Sequence, residues 1–365
     1  MGITPTILPP LSVGSIAGLA AAVRALATMT AVPWLIAGCA CVLGVIAGFV
    51  VFVVHMPGRS FAGTPRPLST DEQQTRERLE SHLTHLAGTI GERNMRQYAA
   101  LDDTRGYITA AFTEMGYRVH QESLSARGRS VSNIVAAHHG TCGPAVVVGA
   151  HYDTVPGSPG ANDNGSGVAG LLELARTLYG RPQAASVRFV AFVNEEEPYF
   201  GTAAMGSLHH AREAERRGET IRAMLALETI GYYSQQPGSQ AYPVPLKWFY
   251  PRTGNFIGFV GNMRSRRLVH TAVAAFRNAA TIPSEGIAAP ELIRDIGRSD
   301  HWSFWQTGVP ALMVTDTANF RYRQYHGADD TADIIDYDSL TRVVYGLAAS
   351  VAAIASGPAI CPDNS

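Results

Sequence analysis

The stretch GAHYDTVPGSPGANDNGSG, residues 149–167, follows the apolar residues AVVVGA and sets His151, Asp153 and Asp163 among glycine, proline and asparagine. Two chemistries fit these residue types. An imidazole and carboxylates this close in sequence can hold a divalent cation. Gly165-Ser-Gly-Val-Ala-Gly170 also has the spacing of a dinucleotide fingerprint. That fingerprint should follow a strand directly and open a helix. Here the loop VPGSPGAND precedes it, and Asp163 would set a negative charge beside the pyrophosphate. The metal reading is the better one. Gly165 and Gly167 are then expected to let the backbone turn tightly into a helix after Asp163.

Acids and histidines recur behind other apolar runs. Asn194-Glu195-Glu196-Glu197 follows VRFVAFV, Glu228 follows AMLAL, and His326 with Asp329 and Asp330 follows PALMVTDTANFRYRQY. In α/β folds ligands bind beyond the carboxyl ends of the strands. Charge gathered at one such edge is costly unless a cation or partner neutralises it. Read alone, the three glutamates are a solvated acidic turn, but here they end a fully apolar strand. Asp153 is close enough to His151 to hold the ring's other N–H, as metal-bound histidines require. His138, His139, His209 and His210 come in pairs and read as loop or helix surface. Mixed imidazole and carboxylate ligands suit zinc, with manganese and cobalt as alternatives. Five ligands with one shared carboxylate hold two ions about 3.5–4 Å apart, a pair that clamps a water against a carbonyl. No His-Glu-x-x-His, Gly-x-Ser-x-Gly or Cys-x-x-Cys occurs, against helical zinc peptidases, serine hydrolases and zinc ribbons.

The motifs GAHYDT, ANDNGSG, NEEE, LETIG and YHGADDT, in that order over residues 130–340, resemble the co-catalytic dizinc aminopeptidases. Relatives of that family include glutamate carboxypeptidase, transferrin-receptor ectodomains and glutaminyl cyclases. The resemblance implies an α/β/α domain with a central mixed, mostly parallel sheet. It implies two Zn²⁺ per chain and removal of N-terminal residues from peptides by a water held between the ions. Carried over by motif, His151 and Glu228 bind one zinc, Glu196 and His326 the other, and Asp163 bridges them. Glu195 is the general base and Asp153 orients His151. Glu197 falls outside the matching pair. Ser299-Asp300-His301 matches a further family motif, with Asp300 supporting the ligands and His301 structural. Glu228 stands where some members carry aspartate, which keeps an oxygen ligand. An acidic, partly neutralised pocket suits peptides with a free N-terminus. A glutaminyl-cyclase-like acyltransferase would use one zinc, and the intact Asp-Asn-Gly-Ser-Gly stretch speaks against it. A non-catalytic receptor-like domain would have lost ligands, and this chain has lost none.

The elements that must position these residues can be read from composition and periodicity. Of 365 residues 46% are hydrophobic and only 16% charged, with a net charge of -1. Without a basic run, nucleic acid is excluded as a partner. Pro33–Val54 has no charged residue and would span about 33 Å as a helix, enough to cross a bilayer core. A lipoprotein box at Ile36-Ala-Gly-Cys39 is the weaker reading, because another apolar run follows Cys39. The expected organisation is an N-terminal segment at 1–32 without fixed structure, a membrane span at 33–54, a linker at 55–69 and the zinc exopeptidase domain at 70–365. Four arginines after the span favour a cytoplasmic domain by the positive-inside rule. A lone N-terminal anchor more commonly exports the domain behind it, and an extracytoplasmic domain is expected. Cys142 and Cys361 are the one pair available outside the apolar run.

Strands are expected at 132–137, 145–150, 187–193, 223–228, 256–260 and 310–315. Helices are expected at 71–87, with Thr70 as N-cap, and at 94–116, 166–179, 202–217, 264–279 and 338–356. Residues 232–255, rich in aromatics and prolines, are expected to form a lip over the site.

Overall fold

The computed structural model describes residues 13–137, 144–181, 185–243 and 246–356. Cys142, Cys361, His138 and His139 lie outside them. The chain divides into a unit ending at Val53 and a second unit, Val54–Ser365. The first is helix α1, Val13–Val54, which contains the apolar run and leaves Ile36, Leu43 and Val45 exposed.

In the second unit helices and strands alternate. Helix α2 (Thr70–Leu83) and helix α3 (Tyr98–Glu114) lead into strands β1 (Arg118–Ala126), β2 (Arg129–Ala137) and β3 (Ala145–His151). Helix α4 (Gly167–Leu178), β4 (Val187–Phe192), α5 (Gly206–Arg216), β5 (Ile221–Glu228), β6 (Ile257–Asn262) and α6 (Arg266–Ala279) come next. Strand β7 (Ser284–Ala289), the short α7 (His301–Trp305), β8 (Ala311–Thr315) and α8 (Tyr337–Ala355) complete the described fold.

The eight strands form one sheet in the order β1-β2-β4-β3-β5-β8-β6-β7. Strands β4, β3, β5 and β8 run parallel, as do β6 and β7, while β1/β2, β2/β4 and β6/β8 are antiparallel. The parallel centre explains the continuous apolar runs, since both faces are covered. Val146, Val148 and Ala150 of β3 enter one core with Leu171 of α4 and Val344 of α8. On the other face Phe192 packs its ring against Phe304 of α7 and His210 of α5. His210 is therefore buried, its Nδ1 2.6 Å from Glu122 Oε2, and the surface reading of that histidine is corrected. Helix α8 is long and apolar enough to cross a membrane, but 67% of its apolar window is buried inside the fold, so it is a core helix.

All six expected strands form, and β1 and β7 are additional. Both are the sheet edges. Edge strands carry polar residues because one side faces solvent, and β1 (RVHQESLSA) and β7 (SEGIAA) lack the apolar run that marks a central strand. The N-cap of α2 is Ser69 rather than Thr70. Its hydroxyl accepts from Glu72 N, and the Glu72 carboxylate accepts from Ser69 N at 2.7 Å, a closed capping box. Helix α5 starts at Gly206, four residues later than expected, after turns at 202–205.

Candidate metal centre at the carboxyl edge of the sheet

In the parallel pairing of β3 with β5, Gly149 lies opposite Ala226. Two residues on, His151 and Glu228 therefore leave neighbouring strands on the same face. His151 Nε2 lies 3.3 Å from Glu228 Oε2 and 3.5 Å from Asp163 Oδ1. On the far side of Asp163, His326 Nε2 lies 3.0 Å from Asp163 Oδ2 and 3.7 Å from Glu196 Oε1. Three donor sets result, His151–Asp163–Glu228, Asp163–Glu196–His326 and His151–Glu195–Glu196, and in each the donor atoms lie within 4.8 Å of one another; the first two match the expected ligands. Asp163 belongs to both of these. Glu195 Oε2 stands 3.8 Å from His151 Nε2, beside the cluster. The carboxylates and His151 are buried, whereas His326 is 38% exposed with its ring stacked on Tyr325 at 3.8 Å.

The donor set fits a pair of divalent cations. Glu196 Oε1 is buried without a hydrogen-bond partner among the described residues, and Asp163 Oδ2 has only the His326 ring nitrogen 3.0 Å away, in an ion-pair contact that is not a well-formed hydrogen bond. Such orphans are rare unless something else satisfies them. Burial pushes Glu195 and Glu196 well above the usual carboxylate range, and it raises Glu228 too. Burial would lower His151, but Glu228 and Glu195 overcome it and drive its pKa well up. Burial likewise opposes Asp163, which His151 and His326 nonetheless hold well below its ordinary value. Negative charge is thus in excess here, the condition that a cation pair relieves.

Asp153 has more than the expected contact. Its carboxylate oxygens accept the backbone N–H groups of Glu195 at 3.1 Å and Glu196 at 3.2 Å. His151 Nδ1 faces the Asp153 carbonyl oxygen at 3.2 Å, with Oδ1 at 3.6 Å. One aspartate therefore fixes both the imidazole and the loop that carries the acid pair. Asn194, Thr229 and His326 adopt positive φ (58°, 45° and 61°). Backbone strain of this kind persists where surrounding structure over-determines it.

The Asp163 loop is braced on both sides. Asp330 accepts from Asn162 N and Asp163 N at 2.8 and 3.0 Å. Asn164 bridges Leu227 O, Gly167 N and Thr229 N, tying the loop to the end of β5. A Cβ at Gly167 would collide with Asn164 and the Leu227 carbonyl, so close packing explains that glycine of the fingerprint. Arg93, wholly buried, donates to the carbonyls of Tyr152, Pro159 and Gly160 at 2.6–2.8 Å. Burial lowers its pKa to about 10, with Asp330, Asp153 and Asp163 opposing the fall.

Sequence reasoning did not find Arg93, and Asp330 was seen only as part of a strand-end cluster. Neither carries a local pattern, since each acts on a segment more than fifty residues away. Ser299 Oγ donates to Glu228 Oε2 at 2.8 Å. Asp300 is buried, neither carboxylate oxygen has a well-formed hydrogen bond among the described residues, and burial pushes it up to about 7 against the opposing effect of His151 and Ser207. His301 donates Nε2–H to Ile296 O at 2.6 Å and joins none of the donor sets. The 232–255 segment contributes Gln240, Tyr242 and Tyr250 to an apolar cavity that Glu228 and Tyr325 also line.

A three-layer α/β sheet that gathers two imidazoles and a set of carboxylates beyond its strand ends is the framework of a metal-dependent hydrolase. The chain belongs to peptidase family M28, whose profile matches residues 133–351. It is 38% identical over 288 residues to the uncharacterised protein YfbL of Escherichia coli, covering 76% of this chain and 88% of that one. Its fold is similar to a zinc aminopeptidase from Bacillus subtilis, with TM-score 0.58, 17% identity and coverage of 76% and 94%. It is also similar to a glutaminyl cyclase from Fimbriiglobus ruber, with TM-score 0.56, 19% identity and coverage of 82% and 99%. Fold alone therefore does not separate peptide hydrolysis from acyl transfer, and the site has to.

Proposed function

We propose that the chain is a zinc-dependent aminopeptidase using two ions, anchored to a membrane through residues 33–54 with its catalytic unit outside the cytoplasm. The observation that carries the enzymatic reading is the pair of three-residue donor sets sharing Asp163. A single-metal acyltransferase has no need of the second set. Two divalent ions held there would polarise the scissile carbonyl and make a water more acidic.

Glu195 is the proton carrier. It belongs to the His151–Glu195–Glu196 set, but the family motif assigns it to neither ion, so its carboxylate can take a proton from the attacking water and hand it to the departing amine. Asp153, through the N–H groups of Glu195 and Glu196, keeps one acid available for proton transfer and the other for ligation. The α-amino group of the substrate is read as lying at the Glu228 end, where negative charge is in excess. The apolar cavity there, with Tyr242, Phe256, Ile287 and Phe320 among its walls, then receives the first side chain. Support for the anchor is the exposed apolar surface of α1.

A panel of aminoacyl, N-blocked and carboxypeptidase peptides, run alongside metal analysis, tests the reading. Cleavage confined to free N-termini, lost on chelation and restored by zinc at close to two ions per chain, is the expected result. Release of C-terminal residues from N-blocked peptides would overturn the aminopeptidase assignment, and one ion per chain would favour the acyltransferase.

A further inference from the structure

A second cavity, of about 460 Å³, reaches the other end of the ligand row. Asp153, Glu196 and Glu197 are among its walls, and it shares no lining residue with the apolar cavity at Glu228. It is also lined by Arg96, Arg127 and Arg129. We propose that this cavity is the leaving-group side of the cleft. There the three arginines bind a substrate carboxylate, either the acidic side chain of the second residue or the free C-terminus of a dipeptide. The inference rests on the aminopeptidase reading, which sets the first residue beside Glu228.

Three features of the arginines support it. Among the described residues, no ion pair joins any of them to a carboxylate, and none donates a side-chain hydrogen bond within the chain. All three residues are exposed, and two of the guanidiniums are held against rings. That of Arg129 lies 4.8 Å from the ring centre of Tyr98, and that of Arg127 lies 5.5 Å from the ring centre of Tyr199. A guanidinium placed over a ring by a cation–π contact can keep its N–H fork free, the group that grips a carboxylate.

The backbone is fixed as well. Ala126 pairs with Arg129, and the two turn residues between them, Arg127 and Gly128, both have positive φ (49° and 78°). Such a turn matches the twist of its hairpin. Tyr98 Oη donates to Ser130 O at 2.6 Å, which ties the hairpin to α3. Tyr199 follows the Glu195–Glu197 run, so Arg127 is linked to the loop that carries the proton acceptor.

Charge completes the argument. Asp153 and Glu196 are committed to the site, and Glu197 is exposed without an ion pair to the arginines. The leaving-group side therefore presents unpaired positive charge, while the opposite end is acidic. A peptide with a free amine at one end and a carboxylate near the other matches that polarity.

The test compares Leu-Glu-amide with Leu-Gln-amide, and Leu-Gly with Leu-Gly-amide, on the full chain in detergent. The first pair reads a side-chain carboxylate and the second a terminal one. At least one pair is expected to favour the carboxylate about tenfold in kcat/KM, since hydrogen bonds to charged groups are worth more than one decade. That ratio should shrink with added salt. In the double variant Arg127→Asn/Arg129→Gln, with asparagine chosen because it tolerates positive φ, the ratio should fall to about one. Ratios of one in the unmodified chain, or a ratio unmoved by the double variant, would overturn the proposal. Titration calorimetry with the same peptides reads the preference even when no bond is cut. A carboxylate preference in binding without turnover counts against the peptidase reading alone. Equal binding with intact turnover counts against the arginine site alone.

Discussion

Adjacent glutamates at the end of β4 are given opposite tasks by a single neighbour. Asp153 accepts both of their backbone N–H groups, and their carboxylates lie close together, Glu195 beside His151 and Glu196 reaching His326 as well. Substitution should separate them. Glu195→Gln keeps size and hydrogen bonding but cannot accept a proton, so turnover should fall by about 10²–10⁴-fold with zinc content unchanged. Glu196→Gln offers a poorer ligand and should lose both activity and one ion. If Glu195→Gln loses zinc while Glu196→Gln keeps it, the assignment is off by one residue and Glu197 enters the site. The candidate ligands were legible because His151, Glu196 and Glu228 closely follow apolar runs, while Asp163 and His326 sit in distinctive loop motifs. Arg93 was not, because its work is to satisfy the carbonyls of a loop that only the folded chain brings to it.

At the scale of elements, a helix start carries a pH signature distant from the metal centre. Glu72 closes the capping box of α2 and receives two hydrogen bonds from Arg66, at 2.6 and 2.7 Å. The Arg66 guanidinium holds the Glu72 carboxyl down at about 2 against the opposing effect of burial. A carboxyl depressed in the folded state adds stability that is complete above its unfolded pKa, here 4.5. That stability is lost as pH falls through the folded value. Glu72→Gln should therefore lower the melting temperature by about 2 °C at neutral pH, and the gap to the parent should close between about pH 4.5 and pH 2. A gap that stays constant over that range would show that the charge on Glu72 contributes nothing. Sequence reading located α2 but moved its cap by one residue, because Ser69 and Thr70 are both cap types with a capping-box partner three residues on, Glu72 and Gln73, and the folded chain closes the first. The same limit hid β1, whereas β7 is mostly buried but built of small and polar residues that make no long apolar run. Periodicity reports burial, and an edge strand such as β1 has little of it to report.

For the molecule as a whole, the segment between α1 and α2 is part of the second unit's packing. Met56 is 7% exposed and belongs to the main core, where a Cβ on Gly286 of β7 would press against its sulfur. Arg277 of α6 donates to the carbonyls of Pro57 and Gly58, each at 3.1 Å. Ser60 Oγ accepts from Ser284 N at 2.8 Å, covering the first residue of edge strand β7. Where the catalytic unit begins thus becomes a stability question. A soluble chain starting at His55 retains all of these contacts, whereas one starting at Thr64 loses the buried methionine and leaves Ser284 N and Arg277 short of partners. Full burial of a methionine side chain is worth about 1.5–3 kcal/mol, and each hydrogen bond adds about 1 kcal/mol. The Thr64 chain should accordingly melt several degrees below the His55 chain, with the metal ligands present in both. The comparison is made by thermal unfolding of the two chains at equal zinc loading. Identical melting temperatures would mean that residues 55–63 only tether the unit to α1. A lower melting temperature for the Thr64 chain, with zinc content and peptide turnover retained at low temperature, would show that the segment braces the β7 edge without reaching the site.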